Sequence, residues 1–340
     1  MTDRHKDRVV IPRTGTEISR LGLGTAPLSG SVCLVSESDR QAGIKHALEL
    51  GINYIDTAPL YGFGSGEKSI GKVIQNWNSD VTISTKAGRI IVEKNSKEGQ
   101  AAFSSSAPSL SPFFGADENL MPIFDFSREG ILRSVEESLE RLKLDCLDIC
   151  LIHDPDDRIE DAIKYSFPTL LELKRQGLIK SIGVGVNYVE IAARAVREME
   201  LDMILIAGRY SLLDQSAGEY LFDECIKKRI AISVAGVFNS GILARPTEKG
   251  TTFHYQPASS SILEKVRKLS ELFGHFGVSL TAAALQYPLQ NPAVNAVVAG
   301  CRSPKEIEDN IEDFNAQIPD AAWRALAESG LVDNYEIHLK

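Results

Sequence analysis

Four polar side chains in the first half of the chain stand where apolar runs end. Asp56 closes the run 54–56, Lys86 follows 81–85, His153 follows 147–152, and Tyr61 lies five residues beyond Asp56. A carboxylate, an ammonium, an imidazole and a phenol make a set suited to moving protons. A phenol has an unperturbed pKa of about 10, too high for easy exchange near neutrality. A neighbouring ammonium stabilises the phenolate, and a carboxylate behind it holds that ammonium in place. An imidazole opposite can donate a hydrogen bond to a substrate oxygen and orient it. Such a set suits carbonyl/alcohol interconversion, with hydride exchanged with a nicotinamide on the other side of the reacting carbon. Taken singly, each residue has an ordinary explanation: an Asp caps a helix, a loop Tyr packs, a Lys reaches solvent, a His is structural. Their shared position at strand ends carries the reading.

The elements that must position them are legible as alternation. The runs 21–24, 54–56, 81–85, 147–152, 179–184, 203–206, 230–234 and 296–299 read as strands. Most are continuously apolar, as parallel strands buried on both faces are. Between them lie helical patterns. In 127–143, Ile131, Leu132, Val135, Leu139 and Leu142 share one face. Ser127 is placed to cap that helix, with Glu129 in its first turn and Arg141 and Lys143 in its last. Further helices fit 36–50, ending at Gly51, and 161–176, ending at Gly177; others fit 188–200, 217–228, 259–276 and 304–314.

Eight strands alternating with helices predict an α/β fold, a (β/α)8 TIM barrel forming one domain over 1–340. A doubly wound open sheet is the runner-up. Against it, Gly22-Leu23-Gly24 meets Pro27 where the third glycine of a dinucleotide fingerprint belongs, and Gly183-Val184-Gly185 meets Tyr188. In a barrel the C-terminal strand ends carry the chemistry, and neighbouring strands lie under about 5 Å apart, so the four side chains converge. The stretch 89–126, rich in Ser, Pro, Gly and Phe, reads as a long loop over that face.

Composition excludes several classes. The 340 residues are 43% hydrophobic and 24% charged, and 37 Lys+Arg against 46 Asp+Glu leave a net charge of −9. That disfavours nucleic acid as a partner, which needs a basic face. No apolar stretch approaches the roughly 20 residues that span a membrane, and the charged start resembles no secretory signal. Five cysteines without a C-x-x-C pair suggest neither a disulfide framework nor a metal site. A cytoplasmic enzyme of small molecules, without a metal, is the expectation; the residues fix no oligomeric state.

The sequence resembles the aldo-keto reductases along almost its whole length. The likeness rests on Leu21-Gly22-Leu23-Gly24-Thr25, Gly51 to Ala58 with Tyr61-Gly62, and Ser84-Thr85-Lys86; it continues through 134–142, 148–153 and 177–184. It implies that Asp56, Tyr61, Lys86 and His153 form the catalytic tetrad, with Tyr61 the general acid/base and with Leu28, Tyr61 and His153 touching substrate. It also implies cofactor contacts at Gly24, Thr25, Asp56 and Asn187, and along the turn Phe238, Asn239, Ser240, Gly241 and Leu243. Gly300, Arg302, Glu306, Asp309 and Asn310 would meet the adenosine end. Three positions depart from the family pattern: Val186 precedes Asn187 where a Ser is usual, Ala207 stands for a Gln, and Ala235 stands for an aromatic that stacks on the nicotinamide.

Glu306 aligns where NADP-dependent relatives place an Arg. A carboxylate there repels a 2′-phosphate and accepts from a ribose hydroxyl, so NAD is favoured over NADP. Within the family, His153-Asp154-Pro155-Asp156 and Phe238-Asn239-Ser240-Gly241 resemble the bacterial branch containing L-fucose (D-threo-aldose) 1-dehydrogenases and pyridoxal 4-dehydrogenases. Both oxidise a cyclic hemiacetal to a lactone. The aldose ranks first and pyridoxal, giving 4-pyridoxolactone, second; Phe103, Phe113, Phe114 and Phe124 in the insertion suit either. A general carbonyl reductase, a cofactor-binding subunit without turnover and a Schiff-base aldolase on Lys86 are the remaining readings.

Overall fold

The structure is a computed structural model that describes residues 3–105, 113–218, 220–245, 252–254 and 256–333. Its centre is a closed barrel of eight strands. These are β1 (Leu21–Gly24), β2 (Tyr54–Asp56), β3 (Thr82–Ala87), β4 (Leu147–His153), β5 (Ile179–Val186), β6 (Met203–Ala207), β7 (Ala231–Ala235) and β8 (Val294–Gly300). Each pairs in parallel with its chain neighbour, and β8 returns to β1. All eight expected strands are present, and closure excludes the open-sheet alternative.

Alternation along the strands separates two cores. Ile83, Ile152, Val184 and Ile206 face outward into the layer shared with the helices. Tyr54, Ile149, Leu151, Met203 and Val298 point into the lumen, which they fill. Tyr54 needs a gap opposite it: a Cβ on Gly22 would lie 2.6 Å from its Cδ1, so β1 carries glycine there. Below, a hairpin of Arg8–Val10 and Glu17–Ser19 plugs the barrel, sending Ile11 and Ile18 fully buried into the lumen cluster. Sequence patterning does not reveal this plug, because strands of three residues carry almost no periodicity.

The helices follow the expected caps. Ser127 Oγ accepts from Gly130 N at 3.1 Å ahead of helix Arg128–Leu142. Gly51 and Gly177 end their helices in the left-handed region, at φ 95° and 81°. Three boundaries differ. The expected helix 161–176 instead begins at Ile159 and widens into a π-turn at Ala162–Ser166 before its last segment, Phe167–Arg175. Pro168, which has no N–H to give, sits just after that turn. The expected helix 217–228 is α-helical over Leu221–Lys228 and preceded by a 3-10 turn at Ser216–Gly218. The insertion is no simple loop: Arg89–Glu93 pairs antiparallel with Leu120–Phe124, and Lys97–Ser105 is helical. The side chain of Phe103 lies outside the described residues.

Helix Ser65–Ile74, which the sequence reading did not find, braces the barrel behind the site. Its Glu67 is fully buried, accepting from Thr85 Oγ1 of β3 at 2.6 Å and from Arg141 Nε at 2.7 Å. Three elements therefore meet on one carboxylate. Removing the cation leaves a buried charge without its partner, which typically costs about 3–5 kcal/mol. Urea unfolding of Arg141→Leu is expected to show a loss of about 3 kcal/mol; an unchanged midpoint would show that the brace does not stabilise the fold.

Candidate active site

Strand parity places the site. Tyr54 and Asp56 share one face of β2, Ser84 and Lys86 one face of β3, and Leu151 and His153 one face of β4. Each reactive residue is thus the uppermost member of an inward-pointing row. Asp56, Lys86 and His153 are buried, and Lys86 is only 2% exposed. Lys86 Nζ donates to Asp56 Oδ2 at 2.7 Å and to the Thr57 carbonyl at 2.8 Å. The second carboxylate oxygen accepts from Ser84 Oγ at 2.9 Å. Tyr61, carried on the loop after β2, lies with its ring centroid 5.3 Å from Lys86 Nζ. The His153 ring stands edge-on to Tyr61 at 6.2 Å. All four sequence-selected residues are therefore brought together.

Around them the structure places Phe113, which the sequence offered as a lining residue, and Arg89, which it did not. Phe113, from the insertion, packs on Tyr61 at 6.1 Å and on Phe63 at 6.0 Å, forming an aromatic wall. Arg89, the first residue of the insertion, pairs with Asp154 Oδ2 at 2.8 Å, beside His153. Asp154 stood within the quoted His-Asp-Pro-Asp run, but nothing local in the sequence joins it to Arg89. Burial, with Arg89 and Lys86 close by, pushes the His153 imidazole well below its ordinary 6.5. Burial also pushes the Asp154 carboxyl up, against the pull of Arg89. Asp156 is pushed up to about 6 by burial and by the neighbouring Asp154.

The residues expected at a cofactor divide by position. Gly24 pairs with Asp56 across β1 and β2, and Thr25 Oγ1 donates to the Asp56 carbonyl at 3.0 Å. Asn187 Nδ2 donates to Asp154 Oδ1 at 2.9 Å, so part of its amide is already engaged. After β7, Asn239, Ser240 and Gly241 run through the left-handed region at φ 46°, 60° and 93°. Asn239 Oδ1 is buried there without a hydrogen-bond partner among the described residues. Phe238 is half-buried and Leu243 fully buried in the same turn. Ala207 and Ala235 pair at the ends of β6 and β7, followed by Gly208 and Gly236. A Cβ on Gly236 would come within 3.0 Å of Gly208 N, so this mouth is lined by the smallest residues.

At the end of β8, Gly300 faces Pro27, where a Cβ would approach to 2.8 Å. Beyond it, Arg302 binds Glu306 through both its main-chain N–H and its guanidinium, the former at 2.8 Å. Burial acts to raise the Glu306 carboxyl, but Arg302 outweighs it and holds the group below its usual range. Asp309 is held by Lys305, and Asn310 Nδ2 lies 3.1 Å from Cys301 Sγ. Leu28, expected to touch substrate, is instead fully buried in the outer core, where a Cβ on Gly43 would lie 3.1 Å from its Cδ2. The helix Glu37–Glu49 needs that side chain for its own packing. A cleft of about 940 Å3 at the opposite end of the barrel, lined by Thr14, Asn53, Trp77 and Lys180, contains none of the reactive groups.

A barrel with this constellation at its strand ends matches the profile of the aldo/keto reductase family over residues 20–330. The chain belongs to that family and is an NAD(P)-dependent oxidoreductase. It is 36% identical to the pyridoxal 4-dehydrogenase of Microbacterium luteolum, covering 96% of this chain and 98% of that one. To the D-threo-aldose 1-dehydrogenase of a Pseudomonas species it is 34% identical, covering 94% and 96%. An aldo-keto reductase of Bacillus halodurans shares the fold with a TM-score of 0.75 at 24% identity, covering 99% of this chain and all of that one. Among the described residues there is no cluster of His, Cys, Asp and Glu fit to hold a metal, and no helix long and apolar enough to cross a membrane.

A depressed imidazole has a signature. The unfolded chain takes up the proton near 6.5 and the folded one only at lower pH, so the His153 contribution to stability is present above about 6.5 and is lost as pH falls through the folded value. Ring-carbon NMR of labelled histidine is expected to show His153 neutral at pH 6.5; a midpoint at or above that value would contradict the buried, cation-flanked environment.

Proposed function

We propose that this chain is an NAD-dependent dehydrogenase that oxidises a cyclic hemiacetal to its lactone. The observation that carries the reading is the buried Lys86–Asp56 pair set against the ring of Tyr61, with a neutral His153 on the other side. Tyr61 takes the proton of the substrate hydroxyl. Lys86 stabilises the resulting phenolate, and Asp56, held by Ser84, keeps Lys86 from turning away. His153, neutral, orients the substrate oxygen by a hydrogen bond without competing for the proton. A bound nicotinamide supplies the acceptor for the hydride that leaves the same carbon.

The residues present fit that group. The small side chains at the ends of β6 and β7 leave room for a flat ring, and Asn187 lies close by on β5's loop. In the turn after β7 the side-chain oxygen Asn239 Oδ1, buried without a hydrogen-bond partner among the described residues, suits a ribose hydroxyl as donor. The Arg302–Glu306 pair supports NAD over NADP, because a 2′-phosphate would have to break a fork-like ion pair and meet the freed carboxylate. Glu306→Gln is expected to lower the NAD/NADP preference in kcat/KM by about tenfold, roughly the worth of one such charged contact.

Among hemiacetals, the aromatic wall of Phe113 and Phe63 beside Tyr61 favours a flat heteroaromatic ring, as in pyridoxal, over an aldose. This reverses the order read from sequence, where the placement of Phe113 was not visible. The aldose remains the second reading, supported by Asp156, whose Oδ1 is buried without a hydrogen-bond partner among the described residues and suits a sugar hydroxyl, and by the D-threo-aldose relative.

The test is NADH and NADPH formation on pyridoxal, L-fucose, D-arabinose, L-galactose and D-glucose, with Tyr61→Phe alongside. Turnover of pyridoxal with NAD, falling about a hundred- to ten-thousand-fold in the variant, is the expected result. Sugar turnover alone would exchange the substrate and keep the mechanism. Undiminished activity of Tyr61→Phe would remove Tyr61 from the chemistry.

A further inference from the structure

Besides Phe113, the insertion brings a charged residue, Arg89, to the site. Gly88 turns the chain out of β3 at φ 101°, where a Cβ would strike Phe126 Cε1 at 2.4 Å. Arg89 follows at once, and its register partner across the hairpin is Phe124. The guanidinium lies over the Phe124 ring at 4.2 Å, which fixes its direction from behind. In front it donates to Asp154 Oδ2 at 2.8 Å. Asp154 itself is held rigidly: its backbone is left-handed at φ 44°, and its N–H donates to the Gly185 carbonyl at 2.9 Å. Its other oxygen, Oδ1, accepts from Asn187 Nδ2 at 2.9 Å.

We propose that Arg89 and Asp154 are positioning residues that set which way the Asn187 amide faces, and thereby the selectivity of the site for the carboxamide of a nicotinamide. The proposal rests on the reading that a nicotinamide binds at this strand end. A carboxylate paired with a guanidinium can only accept hydrogen bonds. The Asn187 side chain must therefore turn its NH2 toward Asp154 and its oxygen away from it. An amide oxygen presented in that way is an acceptor for the NH2 of a carboxamide. Without Arg89, Asp154 loses its anchor, the Asn187 amide is free to rotate, and either face of it meets the ligand. The family pattern supplies an Asn at this place, but it does not say what orients it; here Asp154 orients it, and the cation that anchors Asp154 comes from the insertion.

The experiment compares binding of NAD with that of ADP-ribose, which lacks the nicotinamide, by calorimetry or by quenching of tryptophan fluorescence. ADP-ribose binding also reports whether the folded site is intact. Arg89→Met is expected to weaken NAD roughly three- to tenfold, the range of one net hydrogen bond, and to leave ADP-ribose unchanged. Arg89→Lys, which keeps the charge within reach of Asp154, should restore most of the NAD affinity. In an Asn187→Ala background, Arg89→Met should have no further effect on the ratio of the two affinities. Equal weakening of both ligands, or an undiminished effect in the Asn187→Ala background, would overturn the proposal. Should the wild-type chain bind ADP-ribose as tightly as NAD, the nicotinamide reading on which the proposal stands fails with it.

Discussion

A lysine and an aspartate, both nearly removed from water, lie 2.7 Å apart at the top of the barrel, and much of the structure exists to make that arrangement tolerable. Desolvating two such charges costs several kcal/mol each, and their attraction offsets the cost only when the remaining polar valences are filled. They are filled here. The Thr57 carbonyl takes another ammonium proton, and Ser84 donates to the second carboxylate oxygen. Each of these groups comes from β2, β3 or the first residue after β2. The pair is therefore a product of two adjacent parallel strands in a fixed register, Asp56 opposite Ser84.

That register depends in turn on what lies beneath. The lumen is filled by inward rows whose next member up is the reactive residue, so a slip of one position would exchange Lys86 for an outward-facing neighbour. Gly22 gives Tyr54 its space, and the amino-terminal hairpin seals the lower end with Ile11 and Ile18. Behind β3, the buried Glu67 draws Thr85 and Arg141 together and holds the strand from outside. In the reading proposed above, rigid strands carry the lysine, the aspartate and the histidine of the proton-moving set, while Tyr61 stands on the loop after β2. Loops bring the rest: Phe113 packs on Tyr61, and the turn after β7 follows a strand paired with β8. This division is the usual one in barrels, where loop variation changes the substrate while the strand ends keep the chemistry.

The electrostatic character of the site follows from pairing. Arg89 is matched by Asp154 and Arg302 by Glu306, while burial, with Arg89 and Lys86 close by, pushes the His153 imidazole well below its ordinary range. The Lys86 ammonium, itself paired with Asp56, acts on the phenol from 5.3 Å off the Tyr61 ring centroid. The aromatic wall of Phe113 and Phe63 lowers the local polarity further, which strengthens that influence.

The strands and the four polar residues proposed to do the chemistry were legible because their signals are local. A buried parallel strand is a short continuous apolar run, and a polar residue at its end is conspicuous by contrast. Capping serines and the left-handed glycines at 51 and 177 were legible for the same reason. Helix Ser65–Ile74 was not, because Gly66 and Gly71 disguise it; both lack a Cβ for tertiary reasons, Gly71 because one would lie 2.5 Å from the Arg141 carbonyl oxygen. The insertion read as a loop because antiparallel pairing of residues 27 to 35 apart leaves no periodic mark. Leu28 was misplaced because an apolar side chain near a strand end can turn toward the core or the mouth, and only packing against Gly43 decides. The sequence by itself determined the succession of strands and which residues could move a proton, since a short apolar run and the polar residue at its end are local signals. Which groups surround them, Arg89 on Asp154, Asp154 on Asn187, Phe113 on Tyr61, was decided only by the tertiary structure, because those contacts join residues whose separation in the chain says nothing about their separation in space.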